Sequence, residues 1–83
     1  MLYEEILAMA KELATHKYVG LDLDDRKGVK YIGLQINDKY FDVETKEYDD
    51  FIDFVENVCA YEIDDDYQCV YIFKGFIVSR VYY

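Results

Sequence analysis

The spacing of apolar residues changes three times along this chain, and each change restricts what it can fold into. Leu2, Ile6, Met9, Ala10 and Leu13 recur at the interval of one helix face, with Glu5, Lys11 and Glu12 elsewhere, which predicts a first helix ending near Thr15–Lys17. The period then drops to two. Val19, Leu21 and Leu23 alternate with Gly20, Asp22 and Asp24, the pattern of a half-buried strand with its acids outward. Asp25-Arg26-Lys27-Gly28 reads as a polar turn, followed by a second strand over Val29–Ile36 with Ile32, Leu34 and Ile36 inward. Asn37-Asp38 reads as a hairpin turn, because these side chains tolerate positive φ. A third strand is expected over Lys39–Glu44, with Phe41 and Val43 inward.

Helical spacing returns at Tyr48, Phe51, Ile52, Val55, Val58 and Cys59, opposite Asp49, Asp53, Glu56, Asn57 and Ala60. Thr45 is the expected N-cap, and acids in the first turn suit the helix dipole. Glu62–Asp66 reads as an acidic loop. A hairpin, Tyr67–Phe73 and Phe76–Tyr83 turning at Lys74-Gly75, closes the chain. The predicted order is α-β-β-β-α-β-β. An α+β fold in two layers accommodates it: an antiparallel sheet of about five strands with two helices on one face.

The 83 residues contain no proline and no Gly/Ser-rich stretch, and read as a single domain, 1–83. A domain this small buries only about 60–65% of the surface of its unfolded chain, so its core must be well filled. Ten Tyr and five Phe supply the bulk. Cys59 and Cys69 fall at apolar positions and are expected to be reduced in a cytoplasmic setting, although a disulfide between them is an alternative. Glu4 and Glu5 stand where a signal peptide would be basic, and no apolar run approaches the roughly 18 residues of a membrane span.

The net charge of −9 disfavours direct binding to nucleic acid or an anionic membrane and favours a basic protein surface as partner. That charge is concentrated. From Asp42 to Asp66 there are eleven acids and one base, Lys46, a net −10, while the rest of the chain is nearly neutral. Duplex DNA carries one charge per roughly 1.7 Å of axis. A helix face bearing Asp49, Asp53 and Glu56 between acidic loops offers carboxylates at comparable density, so it could occupy a site built for phosphates. The competing reading is an ordinary solvated helix face.

Signals for chemistry are weak. Counted from Asp22, the fifth, sixth and twelfth positions of a calcium loop hold Arg26, Lys27 and Gly33; counted from Asp64, the sixth and twelfth hold Cys69 and Gly75. Neither fits the calcium-binding pattern. His16 and Ser79 are each the only residue of their type, and nothing in the sequence joins them to an acid. There is no glycine-rich phosphate loop. The expectation is no enzymatic activity, no cofactor and no metal. Tyr61, Tyr67, Tyr71, Tyr82 and Tyr83 crowd the last third beside the acidic loop, either as core packing or as interface residues, with Tyr82 and Tyr83 expected to be exposed.

The stretch Leu2–Val58, through "HKYVGLDLDD", "KYIGLQINDKYFDVE" and "EYDDFIDFVENV", resembles the small acidic anti-CRISPR proteins that inhibit type II effector nucleases. One group of those runs helix, three-stranded antiparallel sheet, helix. The resemblance implies that Asp24 and Asp25 in the first turn, and Asn37 and Asp38 in the second, enter the basic site that reads the duplex flank of the DNA target. Asp64, Asp65 and Asp66 match only in charge, and the closing hairpin departs from that group. The candidate partner-binding residues are therefore Asp24, Asp25, Asp38, Asp49, Asp53, Glu56, Asp64, Asp65, Asp66 and Tyr67. The leading expectation is a phage- or prophage-encoded inhibitor that mimics DNA phosphates. The alternatives are an immunity protein or antitoxin for a basic toxin, and a small module that homodimerises through its C-terminal strand.

Overall fold

A computed structural model describes residues 1–83. The fold is α+β, with two helices and a five-stranded sheet. Helix α1 spans Leu2–Leu13, followed by strands β1 (Val19–Arg26) and β2 (Val29–Ile36), helix α2 (Lys46–Val58), and strands β3 (Tyr61–Asp64), β4 (Gln68–Phe73) and β5 (Phe76–Tyr82). The strands lie in the order β1-β2-β5-β4-β3. All neighbours are antiparallel except β2 and β5, which run parallel. The sheet is thus mixed where an all-antiparallel one was expected, because the last strand returns to the middle and lies beside β2.

Register assigns the two faces. Leu21, Leu34, Arg80 and Cys69 form one cross-strand row, and Leu23, Ile32, Val78 and Tyr71 the next. Both helices cover this side. Tyr3 of α1 meets Phe76 edge-on at 5.4 Å, and Tyr48 of α2 hydrogen-bonds Tyr82. The core between the layers contains Ile6, Ala10 and Leu13 from α1, Tyr48, Phe51 and Val55 from α2, and Ile32, Leu34, Ile36, Tyr71 and Val78 from the sheet. These are the positions that the two periodicities select.

Lys39–Glu44 is not a strand, and two strands rather than three lie between the helices. The reason is local. The Asn37 carbonyl accepts the N–H groups of both Tyr40 and Phe41, and an Asp42 carboxylate oxygen accepts the Glu44 N–H at 2.9 Å. Short polar side chains and turn carbonyls here capture donors that a sheet ladder would need. Phe41 is nonetheless buried, wedged edge-on between His16 at 5.2 Å and Tyr48 at 5.9 Å. Conversely, part of the expected acidic loop is strand, since Tyr61–Asp64 pairs with β4 as an exposed edge. Thr45 does occupy the N-cap position of α2, yet its hydroxyl makes no capping bond and is buried without a partner.

The β1–β2 turn has Lys27 at φ 55° and Gly28 at φ 82°, the paired positive angles of a type I′ hairpin. On the uncovered side of the sheet the Tyr31 ring lies over Gly33, and its hydroxyl hydrogen-bonds Ser79 at 2.6 Å. A Cβ at Gly33 would stand 2.8 Å from that ring. Gly33→Ala is expected to push Tyr31 off Ser79 and cost about 1–3 kcal/mol, measured by urea unfolding. A variant as stable as the parent, with the Ser79 hydroxyl still bonded, would contradict this.

Candidate functional site

The chain path decides which acids meet. Strands β2, β3 and β5 all finish at one end of the sheet. There the Tyr83 N–H donates to the Ile36 carbonyl at 3.0 Å, and the Tyr82 N–H donates to the Tyr67 carbonyl at 3.0 Å. The Asn37–Thr45 loop, the start of α2 and the Asp65–Tyr67 turn therefore share that end. Asp38, Asp49, Asp64, Asp65, Asp66 and Tyr67 are gathered there, all exposed. Asp53 and Glu56 continue along the outer face of α2. Asp24 and Asp25 lie at the opposite end, beside the Lys27-Gly28 turn, so the ten candidates do not form one patch.

Helix geometry sets the charge density on α2. Asp49, Asp50, Asp53 and Glu56 are all exposed, and at 1.5 Å per residue they span about 10.5 Å of axis. That is roughly one carboxylate per 3.5 Å, or one unpaired carboxylate per about 5 Å once Asp50 is set aside with Lys46, against about 3.4 Å per phosphate along one DNA strand. The buried positions Tyr48, Phe51 and Val55 fix which way this stripe points.

Of the chain's eighteen acids, only Asp24 and Asp50 stand in ion pairs. Arg26 Nε donates to Asp24 at 2.7 Å, and the Asp25 N–H bonds the same carboxylate at 2.8 Å. The Arg26 hydrogen bond, helped by that backbone bond, holds the Asp24 carboxyl below its ordinary value. Lys46 Nζ donates to Asp50 at 2.7 Å, and this bond raises the lysine above its ordinary value. All eleven acids from Asp42 to Asp66 are exposed, and ten of them have no ion-pair partner within the chain.

No group of three or more His, Cys, Asp or Glu side chains is gathered to hold a metal ion. Ser79 is buried against Tyr31 on the uncovered side of the sheet, while His16 is exposed at the end of α1 beside Phe41. The structure therefore does not bring them together as nucleophile and base. Both cysteines are free thiols; Cys59 donates to the Glu56 carbonyl and Cys69 to the Glu62 carboxylate, each at 3.6 Å. Burial pushes the Cys69 thiol up from its ordinary value. No helix is long and apolar enough to cross a membrane.

The sequence reading missed one constellation. Arg80, at an inward position of β5, has no carboxylate partner and instead serves three tyrosines. Its Nε donates to the Tyr71 hydroxyl at 2.9 Å, and one terminal nitrogen donates to the Tyr48 hydroxyl at 3.2 Å and to that of Tyr82. Tyr82 is therefore half-buried rather than free at the chain end, whereas Tyr61, Tyr67 and Tyr83 are exposed. The available signal was the alternation Phe76, Val78, Arg80, Tyr82, which places a cation among core positions. The structure also makes β5 a central strand, so sheet-edge pairing through the C-terminal strand is closed.

No protein-family model, curated protein or solved structure matches this chain.

Proposed function

We propose that this chain is a protein inhibitor that offers carboxylates in place of DNA phosphates and occupies the basic site of a nucleic-acid enzyme. One observation carries the reading: the acids from Asp42 to Asp66 are all exposed, and only Asp50 is neutralised by a base of the same chain. Like charges at i,i+3 and i,i+4 oppose helix formation by a few tenths of a kcal/mol per pair, so the Asp49–Asp53 and Asp53–Glu56 repulsions work against α2, while the helix dipole favours Asp49 in the first turn. Their gain comes when a cationic groove meets them. The end of the sheet supplies the rest of the surface, with Asp38, Asp64, Asp65 and Asp66 at the same end as Tyr67, a residue 72% exposed. Asp24 and Asp25, at the other end, make at most a second contact with the same partner.

A competition assay against duplex DNA tests this on basic DNA-binding enzymes. A type II CRISPR effector nuclease comes first, since Leu2–Val58 resembles inhibitors of that class. The protein is expected to displace DNA, and its own affinity for the enzyme, read by direct binding, is expected to fall as salt rises from about 50 to about 200 mM. The triple variant Asp49→Asn, Asp53→Asn, Glu56→Gln is expected to stay within about 1 kcal/mol of the parent's stability, since relieved repulsion offsets the lost dipole interaction of Asp49, and to bind about tenfold more weakly, at roughly 0.5 kcal/mol per exposed charge. Unchanged affinity in that variant, or direct binding indifferent to salt, would exclude the phosphate-mimic reading.

A further inference from the structure

The geometry points to the free edge of β1 as a binding site for an extended segment of a partner protein in which basic and apolar residues alternate. β1 pairs only with β2 and forms one border of the sheet for eight residues. The other border, β3, offers four.

Hydrogen-bond alternation identifies the open groups. The Asn37 N–H donates to the Tyr18 carbonyl, so Tyr18 and every second residue after it turn their backbone groups toward β2. Val19, Leu21, Leu23 and Asp25 turn theirs outward. The Val19 N–H is taken by the His16 carbonyl, and the Asp25 N–H is taken by the Asp24 carboxylate. The Val19 carbonyl and both backbone groups of Leu21 and Leu23 remain free along the edge. The edge has no proline, and its only lysine-like guard is Arg26 at the extreme end.

Side chains set what an added strand must carry. On the uncovered side of the sheet, Asp22 and Asp24 border a depression of about 560 Å³ lined also by Arg26, Val29, Tyr31 and Ile77. On the helix side, Leu23, 45% exposed, borders one of about 370 Å³ with Tyr3, Asp24, Asp25 and Lys30. An incoming strand therefore meets the carboxylates of Asp22 and Asp24 on one face and Leu21 and Leu23 on the other, where Asp25 and Lys30 follow at the far end, and strand addition reads alternate side chains in this way. Asp22 is unpaired, and Asp24 becomes available by exchange with Arg26. A second copy is a poor occupant: pairing two β1 edges brings Asp22, Asp24 and Asp25 of each chain together, on protomers already at −9. This site involves none of the α2 carboxylates, so it stands or falls separately from the phosphate-mimic reading.

The test uses the unaltered protein and an eight-residue peptide alternating lysine and valine, with a block peptide of four lysines followed by four valines as control. Backbone amide exchange and chemical shifts are read by NMR. The alternating peptide is expected to slow exchange at Leu21 and Leu23 by about tenfold or more at saturation, as new strand hydrogen bonds do. The block peptide, of equal charge, is expected to shift α2 and leave those amides unprotected. N-methylation of alternate peptide residues is expected to abolish protection in one of the two possible sets and spare it in the other. Equal protection by the block peptide, equal sensitivity of both methylated sets, or shifts confined to α2 would overturn the proposal. So would protection of Leu21 and Leu23 that rises with protein concentration before any peptide is added, which would assign the edge to self-association.

Discussion

Arg80→Ala is expected to lower the unfolding free energy by about 2–4 kcal/mol, measured by urea unfolding followed by circular dichroism. For a domain of 83 residues the total is only about 4–12 kcal/mol, so this is a large part of it. The loss has two sources. The aliphatic stem of Arg80 packs among core tyrosines, with its guanidinium 5.5 Å from the Tyr82 ring centroid and 5.9 Å from that of Tyr71. Its nitrogens also supply the donors for Tyr71, Tyr48 and Tyr82. Burial works against the Arg80 charge, but the Tyr71 hydrogen bond and the surrounding phenols outweigh it and hold the guanidinium protonated. Arg80→Met separates the sources. It keeps most of the volume, removes every donor, and is expected to retain a deficit of about 1–3 kcal/mol from the buried Tyr71 hydroxyl left without its guanidinium partner. A methionine variant as stable as the parent would mean that the phenols do not need the guanidinium.

The second large effect is alkaline unfolding. Burial, aided by its bond to Tyr82, pushes Tyr48 well above the ordinary tyrosine value near 10; burial, aided by its bond to Cys69, does the same for Tyr71. In the folded protein both phenols keep their protons where the unfolded chain has released them. The unfolded state then binds fewer protons, so stability falls as pH rises above about 10 and is unaffected by these groups below about 9. Two such protons give a slope of up to about 2.7 kcal/mol per pH unit, enough to unfold a small domain within two or three units. Phenolate absorbance and circular dichroism, followed together, provide the check. Two tyrosines are expected to ionise only as the fold is lost. All ten ionising together on an intact fold would refute it.

Carboxylate titration has a smaller reach. Asp24 is the one acid with a lowered value, so the stability it adds is present above its ordinary range and is lost as pH falls through the lowered value. The pair lies on the surface, which keeps its weight small.

Local pattern determined the parts of this protein that depend on a repeat of one element. The interval of Leu2, Ile6, Ala10 and Leu13 gave α1 its buried face, and that of Tyr48, Phe51 and Val55 gave α2 its own, so the outward stripe Asp49, Asp53, Glu56 was legible from spacing alone. The two-residue period gave β1 and β2 in the same way. Lys39–Glu44 shows the limit: its alternation correctly marked Phe41 for burial, yet turn carbonyls and the Asp42 side chain took the donors that a strand would have used.

What only the tertiary structure decided is which distant residues share a neighbourhood. Alternation says that Arg80 faces inward but not that Tyr48, 32 residues earlier, is there to receive it. Charge along the chain says that Asp24, Asp25 and Asp64 are acids but not that they sit at opposite ends of the sheet. Both depend on β5 entering between β2 and β4, and that choice left β1 as the longer of the two open borders. The physical reason is range: side-chain period and turn chemistry act over a few residues, whereas strand order is set by which whole-element packing buries the most apolar surface.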